Sequence, residues 1–515
     1  MKKIATILLS LALLAPTLVS FSGCSTDRDI TLRVYNWEEY IDEGGEGSYD
    51  YDYAEEGEKV DDRHILDKFE EWFEAEYGKS IRVQYSTFGT NEDLYNQLKL
   101  GDKYDLVCPS EYMIMKLAAE GMIQPLNFDL DDKHDDYREN VSPFIQTTFD
   151  EGKMKVLGQE EKASWSEYAA GYMWGVTGLV YNPELVNEED LEQGWSILLD
   201  SNYKNKVTTK DNVRDSYFVG LAILYRKELL QLKKQHADGE LTDGEYNAQV
   251  TKIMNDTDPE TVEKVTQILK EMKENIYGFE TDTGKSDMVT GKISINFAWS
   301  GDAVYAMDVA ENEKKPVYLN FYVPEESANL YFDGWVMPKD DKRDKDTEKA
   351  AIAFINFMSQ PENAIRNSYY IGYTSVIGGA EMLEYAKGLY ESEDEDDTVD
   401  YDVSYFFGSE EELGQAPIIR APAEQLSRQL AAQFPLLEVV NRCAVMDYYG
   451  DKEEAINELW TQVKGEQLSA WAIIVIVITA AAIVLFIIYK FFGSKIELRL
   501  KPKKGYQLVK QEKAK

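Results

Sequence analysis

The sequence predicts an α/β fold built on a parallel sheet. Three observations carry that: short alternating segments that read as strands, apolar residues at helical spacing between them, and glycines where those helices must stop. Thr31 to Asn36 alternates as the first strand. Ile65, Phe69, Trp72, Phe73 and Tyr77 then share one helical face, and Gly78 is free to take the left-handed conformation that ends a helix. Ile81, Val83 and Tyr85 alternate again, and Asn91 is placed to cap a helix carrying Leu94 and Leu98. Tyr104 to Cys108 reads as a third strand, with Cys108 as a small buried hydrophobe. Met113 to Glu120 reads as a third helix, closed by Gly121. The order βαβαβα implies parallel strands with helices on both faces. Residues 226–275, rich in Lys, Glu and Gln, read as a further helical stretch.

The two ends place the chain at a membrane. Residues 1–23 read as an export signal: Lys2 and Lys3, an apolar run from Ile4 to about Val19, then small residues before Cys24. Ser22-Gly23-Cys24 looks like the end of a bacterial lipobox, with Phe21 where Leu is usual, so Cys24 is expected to be lipidated. Residues 467–489 carry no formal charge. They are long enough to cross about 30 Å of hydrocarbon as a transmembrane helix. Residues 490–515 hold nine basic residues against Glu497 and Glu512, which puts this tail in the cytoplasm and the acidic body on the extracytoplasmic face of the cell membrane.

A length of 515 residues leaves room for several domains, and an apolar share of 44% excludes general disorder. The balance of 94 acidic against 54 basic residues gives a formal charge of −40. That acidity argues against a nucleic-acid partner, because phosphate is repelled, and suits a cationic ligand. Three Cys, three His and no CxxC pair leave little material for a disulfide framework, a metal site or a triad. Thr283-Gly284-Lys285-Ser286 looks like the end of a phosphate-binding loop, but Gly278 lies one residue too far upstream and the flanks do not read as strand then helix. No GxSxG occurs either. No catalytic residue, cofactor or metal is therefore expected, and the chain does not read as an enzyme. The acidic runs 42–62 and 391–402 read as solvated loops, since their Asp-Tyr-Asp spacing lacks the Gly and Glu frame of a calcium loop.

Ligands of parallel α/β sheets bind beyond the carboxyl ends of the strands. Those ends are Asn36-Trp37-Glu38-Glu39-Tyr40, Ser86-Thr87 and Pro109-Ser110-Glu111-Tyr112. They bring rings and carboxylates together. That mixture suits an aliphatic ammonium, whose charge needs carboxylates and whose methylenes need apolar or aromatic cover. Plainer readings stand beside this one: Trp37 as a core aromatic, Ser110 as a helix cap, Trp299 and Tyr373 as packing residues.

Eight collinear segments carry a resemblance: YNWEEY (35–40), YSTFGTNEDLYNQL (85–98), YDLVCPSEYMIMKLAAEGMI (104–123), YMWGVTGLVYN (172–182), RDSYFVGLAIL (214–224), GKISINFAWSGDA (291–303), FDGWVMP (332–338) and INFMSQPENA (355–364) with IGYTS (371–375). Together they are similar to the spermidine/putrescine-binding proteins of bacterial ABC importers. The resemblance implies a two-lobed, hinged, periplasmic-binding-protein-like fold of type II. Such a receptor captures a polyamine and delivers it to a membrane permease served by a cytoplasmic ATPase. One lobe is expected from 28–172 and 333–384, the other from 175–331 and 385–462.

The resemblance assigns ligand contacts to Trp37, Glu38, Glu39, Tyr40, Ser110 and Tyr112. It assigns the aromatic and acidic lining to Trp299, Tyr331, Asp333 and Tyr373, with Tyr331 standing where the family often has Trp. It also calls for two carboxylates three positions apart around Arg214. Asp215 fits the second; the first falls on Asn212, and the adjacent Asp211 is its substitute. Residues 44–63, the run 391–402 and the C-terminal membrane helix depart from the family. A membrane-anchored sensor of a polyamine or another cationic metabolite is the alternative, disfavoured by a tail of about 25 residues with no signalling domain.

Overall fold

The computed structural model describes residues 29–45, 47–49, 62–392 and 397–465. The chain divides into two compact units, Met1–Leu459 and Trp460–Lys515, and the sheet and the cavity belong to the first. Of the second unit, the end of the helix Glu453–Lys464 and Gly465 are described. The export signal, Cys24, the span 467–489 and the tail 490–515 lie outside the described residues. Among the described residues, no helix is long and apolar enough to cross a membrane.

The first three strands and helices follow the sequence pattern closely. Strand Ile30–Trp37 pairs in parallel with Ile81–Phe88 on one side and with Leu106–Val107 on the other. Helix Ile65–Tyr77 buries Ile65, Phe69 and Phe73, and Gly78 ends it at φ 67°, where a β-carbon would be strained. Two details differ. The helix Asn91–Leu100 is capped by Thr90, whose hydroxyl accepts the Asp93 N–H, which releases the Asn91 side chain for the cavity. The third strand is only Leu106–Val107, although the Asp105 and Cys108 N–H groups on either side of it still donate to the Arg33 and Tyr35 carbonyls; the Asp105 carboxylate takes Arg343 at 3.0 Å.

These strands form one end of a mixed eleven-stranded sheet. Its path runs 81–88, 30–37, 106–107, 330–338, 169–181, 295–299, 207–210 and 278–280. Two long strands, Ala169–Tyr181 and Leu330–Pro338, cross its middle, antiparallel to each other and buried at every position. The first half of 169–181 pairs with Thr374–Ser375, and its second half pairs with Ile295–Trp299 and Asn320–Tyr322. The result is a two-lobed α/β body whose halves share two crossing strands. A register shift between Asp333 and Gly334 interrupts the crossing pair. Such bulges bend a strand and re-aim a side chain.

The 226–275 stretch forms three helices, Arg226–Ala237, Asp243–Met254 and Pro259–Asn275. The acidic runs are only partly loops. Thr398–Asp402 is a strand paired with Ile418–Pro422, because Tyr401 alternates inward to full burial between outward Asp400 and Asp402. Asp42 is fully buried and paired with Arg366 at 2.7 Å rather than solvated. The flanks of Thr283-Gly284-Lys285-Ser286 also correct the sequence reading: strand Gly278–Glu280 does precede helix Thr283–Val289. The Gly284 N–H at that turn donates to the Glu280 carboxylate at 2.8 Å, so a carboxylate stands where a phosphate loop would hold its anion.

Candidate ligand-binding site

A cavity of about 1190 Å³ lies where strand ends from both halves of the sheet meet. From the first half come Trp37, Glu38, Glu39 and Tyr40 after strand 30–37, then Ser110 and Tyr112 after strand 106–107. Strand 81–88 runs on past Ser86 and Thr87, so Phe88, Gly89 and Asn91 line the cavity in their place. From the second half come Asp215, on the helix Val213–Leu224, and Trp299, which ends strand 295–299. Tyr331 and Asp333 enter from the crossing strand, and Tyr373 from the turn after helix Pro361–Ile371. Of the twelve ligand contacts expected from sequence, Asp211 alone is not on the wall. Its backbone N–H is tied to the Glu280 carbonyl at 2.7 Å, and Asn212 holds the lining position instead. The Asn212 side chain caps the next helix, accepting from the Arg214 and Asp215 N–H groups.

Asp333 is the best-organised carboxylate. Its Oδ2 accepts the Tyr40 hydroxyl at 2.7 Å and its Oδ1 accepts the Ser110 hydroxyl, also at 2.7 Å. Ser110 occupies the N-cap position of helix Glu111–Ala119 without capping it, so its hydroxyl serves the cavity. Burial dominates despite both donors and pushes Asp333 up to about 6. Asp215 is pushed up to about 7 by burial, against the opposing Lys210 ammonium and a hydrogen bond from Trp299. Glu111, which stands in the third strand end but was not among the expected contacts, is pushed up to about 8 by burial, while its Oε2 accepts the Phe332 N–H. Asp215, Asp302 and Asp333 are each 5% exposed, so little water screens them.

Aromatic rings complete the walls. Trp37 leans on Phe88 at 4.6 Å. Tyr40 meets the edges of Tyr172 and Tyr373. The Tyr373 ring lies where a β-carbon on Gly301 would come within 2.1 Å, so Gly301 is required for that close approach. Tyr112 accepts from Asn91 Nδ2 at 3.0 Å, and the Arg214 guanidinium carbon lies 4.4 Å from its ring centre and 3.8 Å from that of Tyr449. Glu38 and Glu39 are exposed, and Glu39 holds the left-handed φ of 52° that few non-glycine residues adopt.

Three charged partners escaped the sequence reading. Asp302, on the helix Ser300–Asn312, accepts the Tyr373 hydroxyl and pairs with Lys210 at 3.0 Å and Lys285 at 3.6 Å. Burial raises Asp302, but the two ammonium groups outweigh it and hold this carboxyl below its usual range. The sequence signals were the position of Asp302 inside the segment 291–303 and that of Lys285 inside the rejected phosphate-loop motif; Lys210 gave none, because its role depends on distant partners.

Two buried carboxylates, Asp215 and Asp333, thus stand among rings at the strand ends of two half-sheets with no lysine or arginine nitrogen within 4 Å among the described residues, whereas Asp302 is already paired with two ammonium groups. The chain belongs to the bacterial extracellular solute-binding protein family, whose model matches residues 66–387. It is 25% identical over 375 residues to the spermidine/putrescine-binding periplasmic protein of Salmonella typhimurium, covering 72% of this chain and 84% of that one. It is also 25% identical over 358 residues to the putrescine-binding periplasmic protein PotF of Escherichia coli, covering 68% and 80%. Among solved structures, the spermidine/putrescine ABC transporter substrate-binding protein PotD of Streptococcus pneumoniae matches with a TM-score of 0.50 at 25% identity, over 84% of this chain and 99% of that one.

Proposed function

We propose that this protein is the extracytoplasmic substrate-binding component of an ABC-type importer, capturing a polyamine between its lobes and delivering it to a permease and its ATPase. The observation that carries this reading is the pair Asp333 and Asp215. Both are buried and raised by that burial, and among the described residues neither has a lysine or arginine nitrogen within 4 Å. An ionised carboxylate in such surroundings is costly until a cation meets it. The named ligands of the relatives supply such cations, and the rings of Trp37, Tyr40, Trp299, Tyr331 and Tyr373 supply cover for methylenes. Glu38, Glu39, Ser110 and Tyr112 complete the proposed contact set.

The lobes of this reading are 28–172 with 333–384, and 175–331 with 385–462, closing about the crossing strands when ligand arrives. Cys24 carries the lipid, residues 467–489 span the membrane, and the basic tail lies in the cytoplasm. A thermal-shift panel of putrescine, spermidine, spermine and amino acids tests the ligand class. A ligand at ~100 times its dissociation constant stabilises by about 2.7 kcal/mol. Stabilisation by amino acids and by no polyamine refutes the proposal.

A further inference from the structure

The carboxylates of the cavity are not equally free. Lys285, on the cavity wall, places its ammonium 2.7 Å from Asp282, 3.6 Å from Asp302 and 3.9 Å from Glu39, with the Tyr305 ring centre 5.1 Å away. Lys210 reaches the same Asp302 from behind the wall, at 3.0 Å, with its ammonium 4.2 Å over the Trp299 ring. An aliphatic stem ending in an ammonium, surrounded by carboxylates and a ring, is the environment that one end of a polyamine requires. At this end of the cavity the chain provides that ammonium itself. Asp215 and Asp333, by contrast, have no chain cation within 4 Å among the described residues.

We propose that Lys285 sets the number of ammonium groups the ligand can carry. Its side chain takes the Asp302–Glu39 end of the cavity, which leaves, of the three buried aspartates on the wall, Asp215 and Asp333 for a ligand with two cationic ends, and so favours a diamine over a triamine. A third ligand ammonium has to lie against Lys285 or displace it from three carboxylates, and both are unfavourable. The inference rests on the polyamine reading of the cavity and goes beyond it to the choice among polyamines.

Calorimetric titration of the full-length chain and of K285M with 1,4-diaminobutane and with spermidine tests it. The wild type is expected to bind the diamine at least tenfold more tightly than the triamine. K285M is expected to shift that ratio at least tenfold toward the triamine, and K285R to keep the wild-type ratio. A K285M ratio within threefold of wild type, at an unchanged melting temperature, overturns the inference, as does a wild type that prefers the triamine. Should K285M not fold, K285Q takes its place, with the same tenfold shift expected and the same threefold limit overturning the inference. Binding of neither amine by the wild type overturns the polyamine reading, and this inference with it. The two failures therefore look different.

Discussion

Replacing Asp333 by Asn is expected to strengthen the empty protein and weaken the loaded one. Burial lifts this carboxyl from its ordinary 3.8 to about 6. A shift of about two pKa units corresponds to about 3 kcal/mol between the two protonation states. Because the folded-state pKa lies above the unfolded one, the group favours folding below about pH 4 and loses that contribution as pH rises through about 6. At pH 7 the ionised carboxylate therefore opposes folding of the ligand-free chain by the full amount. The D333N variant removes that opposition, less about 1 kcal/mol for an amide that fits two hydroxyl donors imperfectly. A net gain of about 2 kcal/mol in urea denaturation of ligand-free protein is expected.

Binding moves the other way. An ammonium deprived of its buried carboxylate loses at least ~2 kcal/mol, roughly thirtyfold in affinity. Asp400→Asn, at an exposed position of strand 398–402, changes binding by less than ~0.5 kcal/mol. Calorimetry and denaturation on the same preparations read both signs. A D333N protein that is less stable when empty, or that binds polyamine as wild type does, refutes the assignment of Asp333 as an unpaired ligand carboxylate. Equal weakening by D400N would mean that diffuse negative charge attracts the cation and that the cavity is not the site.

Three further outcomes are expected. Asp333 at about 6, Asp215 at about 7 and Glu111 at about 8 all lie above their unfolded values, so the ligand-free protein should be more stable in urea at pH 5 than at pH 8, while polyamine affinity falls over the same decrease in pH as Asp215 and Asp333 take up protons; stability that rises toward pH 8 contradicts the assignment. Saturating polyamine should reduce the radius of gyration in small-angle scattering, and binding without compaction argues against lobe closure. Metabolic labelling with a fatty-acid analogue should mark the wild type and not Cys24→Ser, whereas equal labelling removes the lipid anchor; the unlabelled variant should stay with membranes through residues 467–489, and its release in soluble form removes the spanning helix.

Local structure was legible wherever its cause was local. Helix Ile65–Tyr77 could be bounded from five apolar residues on one face and one glycine, because its hydrogen bonds close within four residues. Strand Ile30–Trp37 and the rings and carboxylates beyond it were readable for the same reason, through an alternation of period two. The net acidity that suits a cationic ligand needed only counting. Thr398–Asp402 was misread because one inward tyrosine among acids is too short a signal, and its partner strand lies some distance along the chain.

The sequence by itself determined the elements, the charge and the kinds of side chain at the strand ends. Only the tertiary structure decided what each of those side chains touches. Ser110 read equally well as a cap or as a site residue until the bulged strand brought Asp333 to its hydroxyl from 223 positions away. Asn91 changed from a cap to a cavity donor once Thr90 took the helix end. Lys210, Lys285 and Asp302 meet because strands 207–210, 278–280 and 295–299 end side by side in the sheet, an order that no spacing along the chain encodes. Periodicity reports hydrogen bonds a few residues long, whereas the charge pattern of the cavity depends on pairings that close loops of tens to hundreds of residues, and those are settled by packing of the whole body.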